Sequence, residues 1–214
     1  MSNTLAVAIL AKAPVAGLAK TRLIPALGAA GAARLQRRLT LQALRTAYAA
    51  DLGPVTLWCA PDTGHRFFRA LQKKHGVACR AQPTGDLGQR MHAAFEFHAG
   101  PLLLIGTDCP ALTSQHLHAA AAALQAGADA VLQPAEDGGY VLVGLRQPQW
   151  PVFDGVAWST AEVLQQTRAR LRRLGLAWQE TPLLWDVDVP ADLARLRTLP
   201  GGHYSGKISN FPAL

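Results

Sequence analysis

The residues that could do chemistry gather where apolar runs end. Lys12, Lys20 and Arg22 set three cations within eleven residues, in a loop that follows the apolar run 5–10 and contains Pro14 and Gly17. A basic, Gly/Pro-containing loop at the carboxyl end of a buried strand is how α/β proteins hold phosphate, because side-chain cations and free backbone N–H groups converge there. One solvated lysine is ordinary. Three cations at one strand mouth favour a polyphosphate. The spacing G-x-x-x-x-G-K-[ST] of the standard P-loop does not occur.

Asp108 follows the most apolar run of the chain, 102–105, after Gly106 and Thr107, and Pro110 stops any further ladder pairing. A carboxylate at the end of a central strand lies in the crevice where α/β ligands bind. It suits Mg²⁺ or Mn²⁺, which take few protein oxygens and complete their shell with substrate phosphates. The alternative role for Asp108, capping the next helix, is better filled by Thr113 or Ser114. A second loop carries Gly85, Asp86, Gly88 and Arg90; its glycines let backbone approach a base or a sugar, although it also reads as an ordinary helix start. Glu136-Asp137-Gly138-Gly139 is a strong hairpin signal, and Asp137 in that turn is a candidate base or acceptor contact. Ser159 with Glu162 reads as a capping box, and Asp188, two residues before Pro190, reads from the residues alone as a helix cap.

Elements must hold these groups in place. Residues 5–10, 55–60, 77–82 and 102–105 read as strands. Residues 29–50, 65–75 and 90–98 read as the helices between them, and this β-α-β-α-β rhythm implies parallel strands with right-handed crossovers. Residues 117–125 continue the pattern as a helix, 130–133 and 141–145 as a strand pair, 158–174 as a long helix, 176–184 as an edge strand and 191–199 as a last helix. The 214 residues fit one domain over 1–199, with 200–214 as a tail or docking arm.

Half the residues are hydrophobic and 16% are charged, which supplies a core and excludes global disorder. The formal charge of +7 calls for an anionic partner. The arginines are spread over two helices with no interleaved aromatic stripe, which argues against nucleic acid. Three cysteines without a CxxC pair fit a reducing compartment. No apolar run has membrane length, and residues 5–10 are too short for a signal peptide. The expectation is a cytoplasmic protein with neither a membrane nor a nucleic-acid partner.

Six collinear stretches resemble one family: AKAPVAGLAKTRL (11–23), GDLGQRM (85–91), IGTDCPALT (105–113), PAEDGGYVLVGL (134–145), WST (158–160) and DVDVPADL (186–193). Spread over about residues 4–197, they are similar to the GT-A-fold nucleotide-diphospho-sugar transferase superfamily. Within it they resemble the small radical-SAM/selenodomain-associated transferase group, related to MobA-like and phospholactate guanylyltransferase-like nucleotidyltransferases. The resemblance implies an α/β, GT-A-like (Rossmann-like) three-layer sandwich with a mixed, mainly parallel sheet. It implies nucleotide contacts from Ala11, Lys12, Ala13, Pro14, Gly17, Lys20, Arg22, Gly85, Asp86, Gly88, Arg90 and Thr107. A divalent Mg²⁺ or Mn²⁺ is implied at Asp108 and Asp188, which turns Asp188 from a cap into a ligand. Lys20 and Asp137 are the expected catalytic groups.

Two reactions share this equipment. In sugar transfer a nucleoside diphosphate leaves and a small-molecule acceptor attacks the anomeric carbon. In nucleotidyl transfer an acceptor phosphate attacks the α-phosphorus of a nucleoside triphosphate and pyrophosphate leaves. Both develop negative charge on phosphate oxygens, which metal, lysine and arginine neutralise. The opening loop has Lys12-Ala13 where nucleotidyltransferases have a Gly-Gly pair, so a nucleotide-diphospho-sugar donor is the favoured expectation. Nucleotidyl transfer is the alternative, and non-catalytic nucleotide binding a third possibility.

Overall fold

The computed structural model describes residues 4–199. The tail expected at 200–214 lies outside the described residues. In chain order the elements are β1 (Ala6–Lys12), α1 (Ile24–Ala50), β2 (Val55–Ala60), α2 (Arg66–His75), β3 (Ala78–Ala81), α3 (Leu87–His98) and β4 (Leu102–Ile105). Then follow α4 (Ser114–Gln125), β5 (Ala130–Pro134), β6 (Tyr140–Leu145), α5 (Val163–Arg173), β7 (Trp178–Glu180) and α6 (Asp192–Thr198).

The strands form one seven-stranded sheet in the order β3-β2-β1-β4-β6-β5-β7. Pairings β1–β2, β1–β4, β2–β3 and β5–β7 are parallel, whereas β6 runs antiparallel to both β4 and β5. The fold is therefore the expected mixed, mainly parallel α/β sandwich. The period of two in a strand sends alternate residues to opposite faces. Val7, Ile9 and Ala11 of β1 and Leu103 and Ile105 of β4 pack with α1, α2 and α4 on the first face. Ala6, Ala8, Leu102 and Leu104 pack with α3, α5 and Phe153 on the second. A third cluster joins Leu23, Leu35 and Leu39 to Trp185, Val187 and Leu196, tying the start of the chain to its last described segment.

The chain leaves β1 towards β2 and β3, then crosses back to place β4 on β1's other edge. The connections after β1 and β4 consequently diverge, and a crevice opens between them at the strands' carboxyl ends. The first helix differs from expectation: α1 runs from Ile24, with Pro25 in its first turn and a break at Gly28 (φ 68°). A larger correction concerns 158–162. Ser159 is not a helix cap: it sits in the left-handed region (φ 65°), and α5 begins only at Val163. The Thr160 hydroxyl instead accepts from the Glu162 N–H at 3.3 Å, so no capping box forms. The edge strand expected over 176–184 shrinks to Trp178–Glu180.

Candidate functional site

A cleft of about 750 Å³ opens at the carboxyl ends of β1 and β4. Its acidic wall is built from three distant segments. Lys20 is held in the left-handed region (φ 47°), just before a short 3₁₀ turn over Thr21–Leu23. Its ammonium donates to the Val187 carbonyl oxygen at 2.6 Å and lies 2.9 Å from one oxygen of both Asp188 and Asp108. The Lys20 side chain is only 5% exposed, against 44% for Asp108 and 38% for Asp188. Burial alone would push the lysine's pKa down, but the two carboxylates outweigh it and hold the pKa above its ordinary value, so the ammonium stays charged. Arg22 adds a looser contact, 3.9 Å from the second Asp188 oxygen.

Each carboxylate has its own support. Thr107 donates to Asp108 Oδ1 at 3.1 Å and accepts from the buried Gln36 amide, also at 3.1 Å, which ties the end of β4 to α1. The Val187 N–H donates to the Asp108 backbone carbonyl at 2.8 Å, so residues 186–188 run along the end of β4. Along that extended segment Trp185 and Val187 are buried, while Asp186 and Asp188 line the cleft. Asp188 does not cap the last helix, which has no side-chain cap; Asp192, its first residue, accepts from the N–H groups of Asp188 and Val189 at 2.8 Å each. The Asp188 carboxylate faces Lys20 instead.

Asp186 was not among the expected site residues. Burial first, then the neighbouring Asp188, Asp137 and Asp108 carboxylates, push its pKa up to about 7, with Lys20 partly opposing them. The sequence signal was present in the acid–apolar alternation 185–189. Gln36 and Trp158 also line the cleft unannounced. Gln36 carried no signal, since a glutamine within a helix pattern reads as a surface residue.

Of the expected contacts, Ala11, Lys12, Lys20, Arg22, Arg90, Thr107, Asp108, Asp137 and Asp188 line the cleft; Ala13, Pro14, Gly17, Gly85, Asp86 and Gly88 are not among its lining residues. Asp86 acts locally, as the cap of α3: it accepts from the Gln89 N–H at 2.8 Å, while Gln89 reciprocates at 2.9 Å. Gly88 is covered by Trp158, and Ala13 is buried. Asp137 stays exposed in its turn and accepts from the Gly139 N–H at 2.9 Å. Cys109 lines the cleft, but burial pushes its thiol up to about 12, so it offers no thiolate nucleophile at neutral pH.

Residues 41–160 match the family model described as "Uncharacterized protein conserved in bacteria (DUF2064)". The chain belongs to this family. Among solved structures it is similar to a protein from Desulfovibrio desulfuricans G20, at 29% identity and a TM-score of 0.80, over 92% of this chain and 88% of that one. That protein bears a provisional assignment as a nucleotide-diphospho-sugar transferase. CMP:2-keto-3-deoxy-manno-octonic acid synthetase, solved with CTP, shares the fold at 13% identity and a TM-score of 0.58, over 91% of this chain and 97% of that one. The molybdopterin-guanine dinucleotide biosynthesis protein A of Archaeoglobus fulgidus shares it at 15% and 0.53, over 89% and 95%. No curated protein matches the chain by sequence. The DUF2064 chain thus has the fold used by sugar-nucleotide transferases and nucleotidyltransferases alike. Among the described residues no helix is long and apolar enough to cross a membrane.

Proposed function

We propose that this DUF2064 protein is a metal-dependent transferase that takes a nucleotide-diphospho-sugar and passes the sugar to a small-molecule acceptor, acting in the cytoplasm as a single domain over residues 1–199. The observation that carries the reading is the Lys20 ammonium set 2.9 Å from both Asp108 and Asp188 at the switch point of the sheet. The similarity to the Desulfovibrio protein supports the donor class.

The donor set fits a divalent ion. Asp108 and Asp188 are hard oxygen ligands, each more than a third exposed. Among the described residues no group of three or more His, Cys, Asp and Glu is placed to form a closed cage. A Mg²⁺ or Mn²⁺ there would need substrate phosphate oxygens to complete its shell. Bound by Asp108 and Asp188, the ion would supply charge neutralisation at the leaving phosphate oxygens. Lys12, Lys20 and Arg22 line the same cleft, with Ala11 and Thr107, and are the cations that would stabilise the departing diphosphate. Asp137, exposed in its turn near Asp186, accepts the proton of the acceptor hydroxyl.

Nucleotidyl transfer is the second reading, favoured by the shared fold with CTP- and guanine-dinucleotide-related enzymes. The two separate on products. The protein is incubated with Mg²⁺ or Mn²⁺ and cell extract as acceptor source, with a pool of nucleotide-diphospho-sugars in one arm and of nucleoside triphosphates in the other. Released nucleoside diphosphate from the first arm is the expected result. Acceptor-dependent pyrophosphate from the second, with no sugar nucleotide consumed, overturns it.

A further inference from the structure

We propose that Arg90, which the family resemblance would put on the nucleotide, instead forms with the indole N–H of Trp158 a subsite for an anionic group of the acceptor, a carboxylate or a phosphate, separate from the donor's diphosphate. The proposal rests on the transferase reading for the word acceptor, but the subsite stands on its own geometry. Arg90 Nε and Trp158 Nε1 are both buried, and neither has a hydrogen-bond partner among the described residues. Both residues line the cleft. Neither group can accept a hydrogen bond, so what they lack is an acceptor. A buried donor left unmet is costly, and folded proteins rarely keep one without a use.

The two groups belong to one wall. Arg90 lies in the first turn of α3, whose Met91 and Phe95 pack on the second face of the sheet beside Phe153. Trp158 presses on the same turn: a Cβ added at Gly88 would stand 2.9 Å from its Cζ2 and 3.0 Å from its Nε1. The absence of a side chain at Gly88 is what brings the indole down onto α3. Beside it Ser159, held at φ 65°, faces the cleft as well, and residues kept in sparsely populated backbone regions concentrate at ligand sites.

The diphosphate position proposed above is at Lys20, whose neighbouring cluster packs with α1, whereas Trp158 and α3 pack on the other face of the sheet. Lys20 is bound to Asp108, Asp188 and Val187, next to the cluster of Leu23, Trp185 and Val187. No ion pair among the described residues involves Arg90, whereas Lys20 has two carboxylates. A cation already supplied with acids and a cation with none call for different ligands. The planar guanidinium offers two parallel N–H bonds, the geometry that matches a carboxylate or phosphate edge.

The test is calorimetric titration of the full chain with Mn²⁺. UDP, GDP, CDP and ADP are titrated first; the protein saturated with the tightest binder then receives glycerol 3-phosphate, glycerate or neutral glycerol. At least one of the two anions is expected to bind tenfold or more tightly than glycerol, and which one identifies the group. Arg90→Gln should abolish that preference while changing nucleoside diphosphate affinity less than twofold. Trp158→Phe, which keeps the aromatic packing and loses the N–H, should weaken the anion about threefold. A tenfold loss of nucleoside diphosphate affinity in Arg90→Gln would assign Arg90 to the diphosphate and overturn the proposal. An anion preference missing from the wild type, or unchanged in Arg90→Gln, overturns it too. If no nucleoside diphosphate binds, the transferase reading fails separately. The same three ligands titrated into the protein alone then decide the subsite by the same loss or persistence of preference.

Discussion

The two walls of the cleft solve opposite electrostatic problems. On one, Lys20 is 5% exposed and compensated by two carboxylates and a carbonyl. On the other, Arg90 has a buried nitrogen with no partner among the described residues. The first arrangement joins three segments far apart in sequence, residues 20, 108 and 186–188, so it contributes to folding as well as to binding. The second leaves a buried donor unmet in the folded state, which is the opening that the proposed ligand would fill. A charge that holds the fold and a charge that waits for a ligand are told apart by their partners, not by their residue types.

The largest effect expected from breaking this contrast is at Lys20. Lys20→Met leaves Asp108 and Asp188 facing each other without their cation. Removing one partner of a buried pair costs roughly 3–5 kcal/mol, and because these carboxylates are partly exposed the cost here should be about 2 kcal/mol. Thermal unfolding should show a fall of about 4–8 °C. Adding Mg²⁺ at millimolar concentration should return part of the loss, because a second cation can then stand between the acids. No fall in melting temperature would show that the pair does not contribute to the fold.

Gly138→Ala tests how the acid-bearing turn is seated. Gly138 has φ +87°, and a Cβ there would stand 2.2 Å from the Ala161 carbonyl oxygen, so the Asp137 turn lies directly under the Trp158–Ala161 segment. The substitution should cost about 1–3 kcal/mol in denaturant unfolding and disturb both walls at once. A neutral result would mean that the turn and the segment move freely past each other.

Asp186→Asn should act in the other direction. It removes a partly buried charge that burial and three neighbouring carboxylates oppose. The variant should melt a few degrees higher than wild type at pH 8 without added metal. An unchanged or lower melting temperature would show that Asp186 is not under electrostatic strain.

The smallest effect belongs to the surface. Arg168 and Glu180 form a two-contact pair at 2.7 and 2.6 Å between α5 and β7. Hydrogen bonding to Arg168 is the main reason the Glu180 pKa lies below its ordinary value. An acid whose folded pKa is lowered stabilises above its unfolded pKa of 4.5, and that contribution disappears as the pH falls through the folded value. Glu180→Gln should therefore lower stability by less than about 1 kcal/mol at pH 7. The gap from wild type should narrow as the pH falls below 4.5. A gap that persists in acid would point to packing rather than charge.

Local rules made much of this protein legible. The apolar runs, the Gly and Pro breaks and the alternating crossovers predict parallel strands β1 to β4, because burial on both faces demands continuous apolar residues. Lys20, Asp108 and Asp188 were reachable from strand-end position and family resemblance together. The capping roles were not: Ser159 and Asp188 both look like caps locally, yet the Asp188 carboxylate faces Lys20 and Ser159 is bent out of the helical region. A cap competes with tertiary partners for the same carboxylate, and sequence shows only one side of that competition.

What the sequence determined by itself, then, is most of the strand and helix segments, the positions of their breaks and the charges standing at them. Those follow from interactions within a few residues, where period and propensity decide. Only the tertiary structure brought Val187 N–H to the Asp108 carbonyl, and so placed residue 188 beside residue 20. Only it laid Trp158 on Gly88 and left the Arg90 nitrogen without a partner among the described residues. Partnership is a property of distance in space, and a chain that folds back on itself decides it only once its layers have packed.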